Sequence, residues 1–239
     1  MKKWTAALAL CLAAALALAG CGSQEESGPE KIKRGSVKTE EIQFSAPASG
    51  DTVALFETSL GEVKVKLFPQ YAPMAVENFV GLAEAGYYNG TTIFKAESGF
   101  AVWGGDATGS GTAGTTIWSG NGYPAEPCDA LRHYAGALCA ARDETSGSCF
   151  SAFYFVQALP DSVAKDQESA MAEAGWREAV YETYRQAGGL PYLDYTDTVF
   201  GQVYEGMDVV DAMAQAALDE EGRPIEDITI ESVTITVIE

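Results

Sequence analysis

Apolar and polar residues alternate most regularly near the two ends of the main body of the chain. Val63, Val65 and Leu67 are interleaved with Lys64 and Lys66, a period of two that gives a strand one buried face. A β-prone run at 53–57 precedes them across Thr58-Ser59-Leu60-Gly61, which predicts a hairpin. Residues 228–238 alternate in the same way and predict a closing strand. After Pro73 the spacing becomes helical. Val76, Phe79, Val80 and Ala83 share one stripe, Pro73 suits a first turn and Gly86 suits the end. A second helix opens at Gly206-Met207-Asp208, with Met213 and Ala217 on its face. Helix formers also fill 161–187, broken by Gly175 and stopped by Gly188-Gly189. This predicts a helical insertion whose Trp176, Val180 and Tyr184 pack onto the rest.

The stretch YYNGTTIFKAESGFAVWGGD, residues 87–106, organises what lies between. Asn89-Gly90 supplies a turn because both residue types tolerate positive φ. β-prone runs at 91–94 and 100–103 flank Ser98-Gly99, and Gly104-Gly105-Asp106 closes the unit. Lys95 stands near the junction with Phe100 and Trp103 close by. A cation beside aromatic rings suggests a ligand surface.

Composition narrows the setting. Lys2 and Lys3 precede an apolar run from Ala6 to Ala19 and then small residues, the layout of a secretory signal and shorter than the ~20 apolar residues of a spanning helix. Leu18-Ala19-Gly20-Cys21 also looks like the bacterial lipobox, in which Cys21 is lipidated and becomes the new first residue. Residues 1–20 are thus expected to be a lipoprotein signal peptide. Residues 21–50, rich in Ser, Glu, Lys, Gly and Pro, read as a lipidated Cys and flexible tether. Residues 51–239 form one domain. Cleavage removes Lys2 and Lys3 from the 15 basic residues, so 13 face 34 acidic ones and the net charge is −21. Such a balance excludes nucleic acid as a natural partner. Cys128, Cys139 and Cys149 show no metal-binding spacing, and one disulfide among them stays open. Gly109 to Gly114 satisfies G-x-G-x-x-G, but no helix or βαβ unit follows, which argues against a dinucleotide site. His133 is the only histidine and no G-x-S-x-G elbow accompanies it, so a Ser-His-Asp hydrolase is not indicated.

Residues 87–106 align without a gap to the central cyclophilin signature, roughly Tyr-Tyr-Asp-Gly-Thr-Thr-Phe-His-Arg-Val-Ile-Pro-Gly-Phe-x-x-Gln-Gly-Gly-Asp. In that alignment Lys95 replaces the catalytic Arg and Trp103 a substrate-binding Gln, while Ile93, Phe94 and Ser98 replace Phe, His and Pro. The helix around 72–79 resembles the family's first helix. Residues 133–142 resemble its His-x-x-Gly-x-Leu-Ser-Met-Ala strand, and residues 151–158 its Ser-Gln-Phe-Phe-Ile-Val-Gln-Ala strand. There Ala152 replaces Gln and Tyr154 takes the pocket Phe position, unless a one-residue shift puts Phe153 there. Residues 192–203 resemble Trp-Leu-Asp-Gly-x-His-x-Val-Phe-Gly-x-Val, with Tyr192 for Trp, Leu193 retained and Asp197 for a pocket His.

The resemblance implies a mainly β fold: a closed eight-stranded antiparallel barrel, a helix over each open end, and the helical insertion at about 161–189. It also implies an Xaa-Pro isomerase that needs neither cofactor nor metal and acts on proline-containing segments. Phe100, Ala101, Tyr154 and Leu193 are the expected pocket, and Lys95 the expected catalytic cation. Trp103, Ala152, Tyr192 and Asp197 are the remaining substrate-facing positions. Lys95 keeps the charge but not the planar fork of guanidinium, so the expectation is reduced activity in a monomer tethered outside a bacterial cell membrane. The alternatives are a non-catalytic module that binds proline segments and a surface protein whose pocket is filled by Trp103.

Overall fold

The computed structural model describes residues 31–112 and 114–239. The expected signal peptide and Cys21 lie outside the described residues. The predicted hairpin is β1 (Thr52–Thr58) and β2 (Gly61–Leu67), paired in antiparallel register from Val53↔Lys66 to Thr58↔Gly61. Val63, Val65 and Leu67 all point into one core with Phe56, as the alternation requires. The helix expected after Pro73 is α1 (Pro73–Glu84), with Pro73 at its start and Gly86 just beyond its end at a φ of 71°.

The stretch 91–97 supplies two short strands, β3 (Thr91–Thr92) and β4 (Lys95–Glu97). Lys95 is therefore inside a strand, and Ser98-Gly99 forms the turn into β5 (Ala101–Gly104). Next come β6 (Ala137–Arg142) and β7 (Cys149–Val156), and then the insertion, which is two helices, α2 (Lys165–Glu173) and α3 (Glu178–Ala187), separated at Gly175. Strand β8 (Thr198–Glu205), helix α4 (Met207–Ala214) and strand β9 (Thr229–Val237) complete the chain.

One sheet holds the nine strands of the described residues in the order β3-β9-β1-β2-β8-β6-β7-β5-β4. Its two outer members are consecutive in the chain. Ile93 donates to Ile228 O at 2.9 Å and Phe94 to Trp103 O at 3.0 Å, so the stretch 91–97 bonds β9 on one side and β5 on the other. The sheet thereby curls back on itself, and the expected eight strands become nine because this one stretch is split in two. Closure leaves no long edge to template aggregation.

Phe56 sits at the centre of the interior, 5.3–5.7 Å from the rings of Phe79, Phe153 and Phe155. Phe79 comes from α1, and Val210 and Met213 of α4 join the same cluster, so both expected helices pack on the barrel. Gly105 has a φ of 86°, and a Cβ there would meet Ser151 O at 2.5 Å. Only glycine lets β5 leave the sheet at that point.

The flexible tether expected for 21–50 does not extend through 34–50. Arg34 bonds Asp211 at 2.7 and 2.8 Å, Arg177 bonds Glu41 at 2.8 Å, and Gln43 is buried. Ile42 and Phe44 each pack against a core cluster. This segment also covers Lys66, whose ammonium meets Asp51 at 2.7 Å. Hydrogen bonds from polar side chains hold it where its scattered apolar residues alone would not.

Candidate active site

A groove of about 380 Å³ opens on the outer face of the sheet. Its apolar wall is Phe100, Trp103, Tyr154 and Leu193. Trp103 on β5 and Tyr154 on β7 are register partners, which places both side chains on one face. Their ring centres are 6.1 Å apart, and Phe100 lies 5.4 Å from Trp103. Leu193 ends a 3-10 turn (Pro191–Leu193), and its carbonyl accepts the Asp197 N–H at 3.2 Å. That bond delivers Asp197 to the rim.

The rim is polar. Tyr154 Oη donates to Asp197 Oδ2 at 3.0 Å, and Arg142 Nη2 stands 3.4 Å from Asp197 Oδ1. Burial pushes the Tyr154 phenol well above its usual range, with Cys139 and Asp197 adding to the effect, so it is a neutral donor. Burial likewise raises the Cys139 thiol well above its usual value, and raises Cys149 to about 11. Both are protonated at neutral pH and are not nucleophiles. Cys128, Cys139 and Cys149 are all free, so the disulfide left open by the sequence does not form.

Beneath the groove, His133 stacks on Tyr154 with ring centres 6.4 Å apart. Its Nδ1 lies 2.8 Å from Asp194 Oδ1, which also accepts the His133 backbone N–H at 2.9 Å. Tyr184 of α3 donates to Asp194 Oδ2 at 2.7 Å. The histidine is fully buried and, among the described residues, no serine is bonded to it; its role is structural. Val180 and Tyr184 of the insertion are buried as expected, so the insertion braces the floor of the groove.

Lys95 faces Trp103 directly across the β4–β5 ladder. Its side chain is exposed and its Nζ rests 4.7 Å from the indole centre. It does not line the groove itself and reaches it through Trp103.

Five of the expected substrate-facing residues come together: Phe100, Trp103, Tyr154, Leu193 and Asp197. The register alternative is settled, because Phe153 points into the barrel core while Tyr154 faces the groove. Ala101 shares the outer face but is fully buried beneath the wall, and Ala152 is half-buried two residues along β7 from Tyr154. Tyr192 is 62% exposed, beside Leu193 but outside the lining. Arg142 at the end of β6, with Asp143, Glu144 and Gly147 from the loop joining β6 to β7, forms a wall that sequence reading did not assign. Its signal was turn chemistry: Asp143 Oδ1 accepts both the N–H and the hydroxyl of Ser146 at 2.7 Å, and Gly147 takes a φ of 70°. The glycine-rich loop after β5 is gathered by Asp106, whose carboxylate accepts the N–H of Thr108 and of Gly111.

The profile of the family described as cyclophilin type peptidyl-prolyl cis-trans isomerase/CLD matches residues 53–235. A protein of Staphylococcus saprophyticus that carries the provisional name peptidyl-prolyl cis-trans isomerase is 36% identical over 196 residues, covering 81% of this chain and 96% of the relative. Its provisionally named counterpart in Staphylococcus aureus strain USA300 is 34% identical over 188 residues, 78% of this chain and 92% of the relative. Among solved structures, a Cryptosporidium parvum cyclophilin type isomerase superposes with a TM-score of 0.63 at 23% identity, covering 79% of this chain and 99% of that one. A second structure of that protein, in the presence of the dipeptide Ala-Pro, gives 0.62 at 24% identity and covers 78% of this chain and 99% of that one. These two share the fold. With the profile covering most of the chain and relatives above 30% identity nearly end to end, the chain belongs to the cyclophilin-type peptidyl-prolyl cis-trans isomerase family.

Proposed function

We propose that the chain catalyses rotation about Xaa-Pro bonds of polypeptides outside the cell membrane, at a rate lowered by its substituted site, and that a lipid on Cys21 anchors it there as a monomer. The observation that carries the catalytic part is the groove itself, with Phe100, Tyr154 and Leu193 as apolar wall and the Lys95 cation on the far partner of that wall, Trp103. The family's name and the Ala-Pro dipeptide present with a structural neighbour support a proline-containing ligand.

The barrier to be lowered is ~18–20 kcal/mol, because rotation breaks amide resonance. As the bond twists, the prolyl nitrogen regains its lone pair and becomes a better acceptor. A cationic donor near it stabilises the twisted state more than the planar one, which is the condition for catalysis. Lys95 supplies a point charge in place of a two-pronged fork, and losing one preorganised donor typically costs ~10²–10³ in rate. The protein supplies placement and charge, with no covalent step.

A second reading is a module that binds proline segments without turning them over. The exposure of Lys95 outside the groove lining favours it. NMR exchange spectroscopy on an Ala-Pro peptide with the full chain in mild detergent separates the two. Faster cis–trans exchange that drops in Lys95→Ala supports the isomerase. Shifted peptide signals without faster exchange support the binding module, and unshifted signals sink both.

A further inference from the structure

A lysine is a poor substitute for a guanidinium fork unless something limits where its ammonium goes. Lys95 and Trp103 are directly opposed in the β4–β5 ladder, so their side chains leave the same face about 4.5–5.5 Å apart at Cβ. The Lys95 Nζ lies 4.7 Å from the indole centre, inside the ~6 Å range in which the ring quadrupole attracts a cation. Among the described residues no ion pair or hydrogen bond competes for that ammonium.

The indole is itself held. Phe100 packs on it at 5.4 Å and Tyr154 at 6.1 Å, and Tyr154 is tied to Asp197 at 3.0 Å. A chain of fixed rings thus ends in one flexible side chain.

We infer that Trp103 is the positioning residue for Lys95: its indole face holds the ammonium at the edge of the groove and so restores part of the order lost with the guanidinium. An ammonium resting on a ring face keeps N–H groups that do not point at the ring, and these are free to donate to a bound peptide. The same indole walls the groove, so one residue sets both the cavity and the cation. This inference rests on the isomerase reading for its catalytic consequence, but the placement of Lys95 stands apart from it.

The test uses the full chain in mild detergent with Trp103→Leu, Lys95→Ala, the double variant and Trp103→Phe, each checked for folding by urea denaturation. Two quantities are read: the Lys95 Hε shift by NMR and the Ala-Pro exchange rate. In the unaltered chain and in Trp103→Phe, ring current moves the Hε signal upfield, and in Trp103→Leu it returns to the free-lysine position. Trp103→Leu slows exchange about two- to fivefold, a range set by the strength of cation–ring contacts at an exposed site, and Trp103→Phe recovers part of it. On the Lys95→Ala background Trp103→Leu causes no comparable further loss.

An unshifted Hε in the unaltered chain overturns the inference. So does an equal loss from Trp103→Leu with and without Lys95, which would make the indole a wall and nothing more. If the unaltered chain speeds no exchange at all while Hε moves with Trp103, the isomerase reading fails and the placement of Lys95 holds.

Discussion

Tyr154 carries a hydroxyl to a place where a phenyl ring would need no partner, and Asp197 receives it at 3.0 Å. The aspartate in turn lies 3.4 Å from Arg142. The two departures from the cyclophilin pattern on this side of the groove therefore complement each other, since a buried phenol without an acceptor is costly. Bonds to a charged partner are worth about 1.5–3 kcal/mol, and Tyr154→Phe is expected to lower stability by an amount in that range. Asp197→Ala should cost less in the Tyr154→Phe background than alone. Urea denaturation of both single variants and the double measures the coupling, and additivity within about 0.5 kcal/mol would show the two residues to be independent. The pairing could not be read from the sequence, because residues 43 positions apart meet only after β7 and the loop before β8 are in register. Phe100, Trp103, Tyr154 and Leu193 were legible because they fall at pocket positions of three separate motifs that resemble the cyclophilin pattern. Ala101 and Ala152 matched motif positions, but their short side chains end beneath or beside the wall that the aromatic residues build.

At the scale of elements, the segment before β1 acts as a strap. Gln43 Nε2 donates to Arg132 O and to Gln202 Oε1, both at 2.9 Å, and Gln43 Oε1 accepts the Arg132 N–H at 2.7 Å. That amide joins the strap to the residue before His133 and to β8, all buried. Gln43→Ala takes the acceptor from the buried Arg132 N–H and the donor from Gln202 Oε1, while Gln202 Nε2 keeps its bond to Ala135 O, at a cost of about 2–3 kcal/mol. The expected result is a lower urea midpoint with an unchanged slope; a shift worth under about 0.5 kcal/mol would make the strap a loose covering. The strap was hidden in the sequence because its composition is that of a linker. It is held by Arg34, Glu41 and Gln43 through partners 89–177 positions away, and pattern reading responds to apolar periodicity, not to distant polar pairs. The hairpin β1–β2, α1 and β9 declared themselves because burial on one face leaves a periodic trace. Lys66 shows the limit of that trace: it reads as solvent-facing, yet its ammonium is covered and bound to Asp51.

Over the whole molecule, 34 acidic residues stand against 15 basic ones, a formal net charge of −19. The mouth of the groove repeats this sign, with Asp143 and Glu144 of the loop wall and Asp197 of the rim beside Arg142. A groove with apolar walls and an acidic rim concentrates the field of the surrounding charge where a peptide enters. Proline-containing peptides flanked by lysines should therefore bind more tightly than the same core flanked by glutamates. Exposed charges are screened over about 10 Å at 0.1 M salt. The difference should thus be several-fold at about 0.02 M salt and largely gone at about 0.5 M. NMR titration of the two peptides at both salt concentrations measures it, with Asp143→Asn and Glu144→Gln together separating the rim from the general field. If the preference survives high salt, contact with particular side chains and not the field is responsible. If no preference appears at low salt, the acidic rim takes no part in choosing the peptide, and the apolar wall of Phe100, Tyr154 and Leu193 alone sets what the groove accepts.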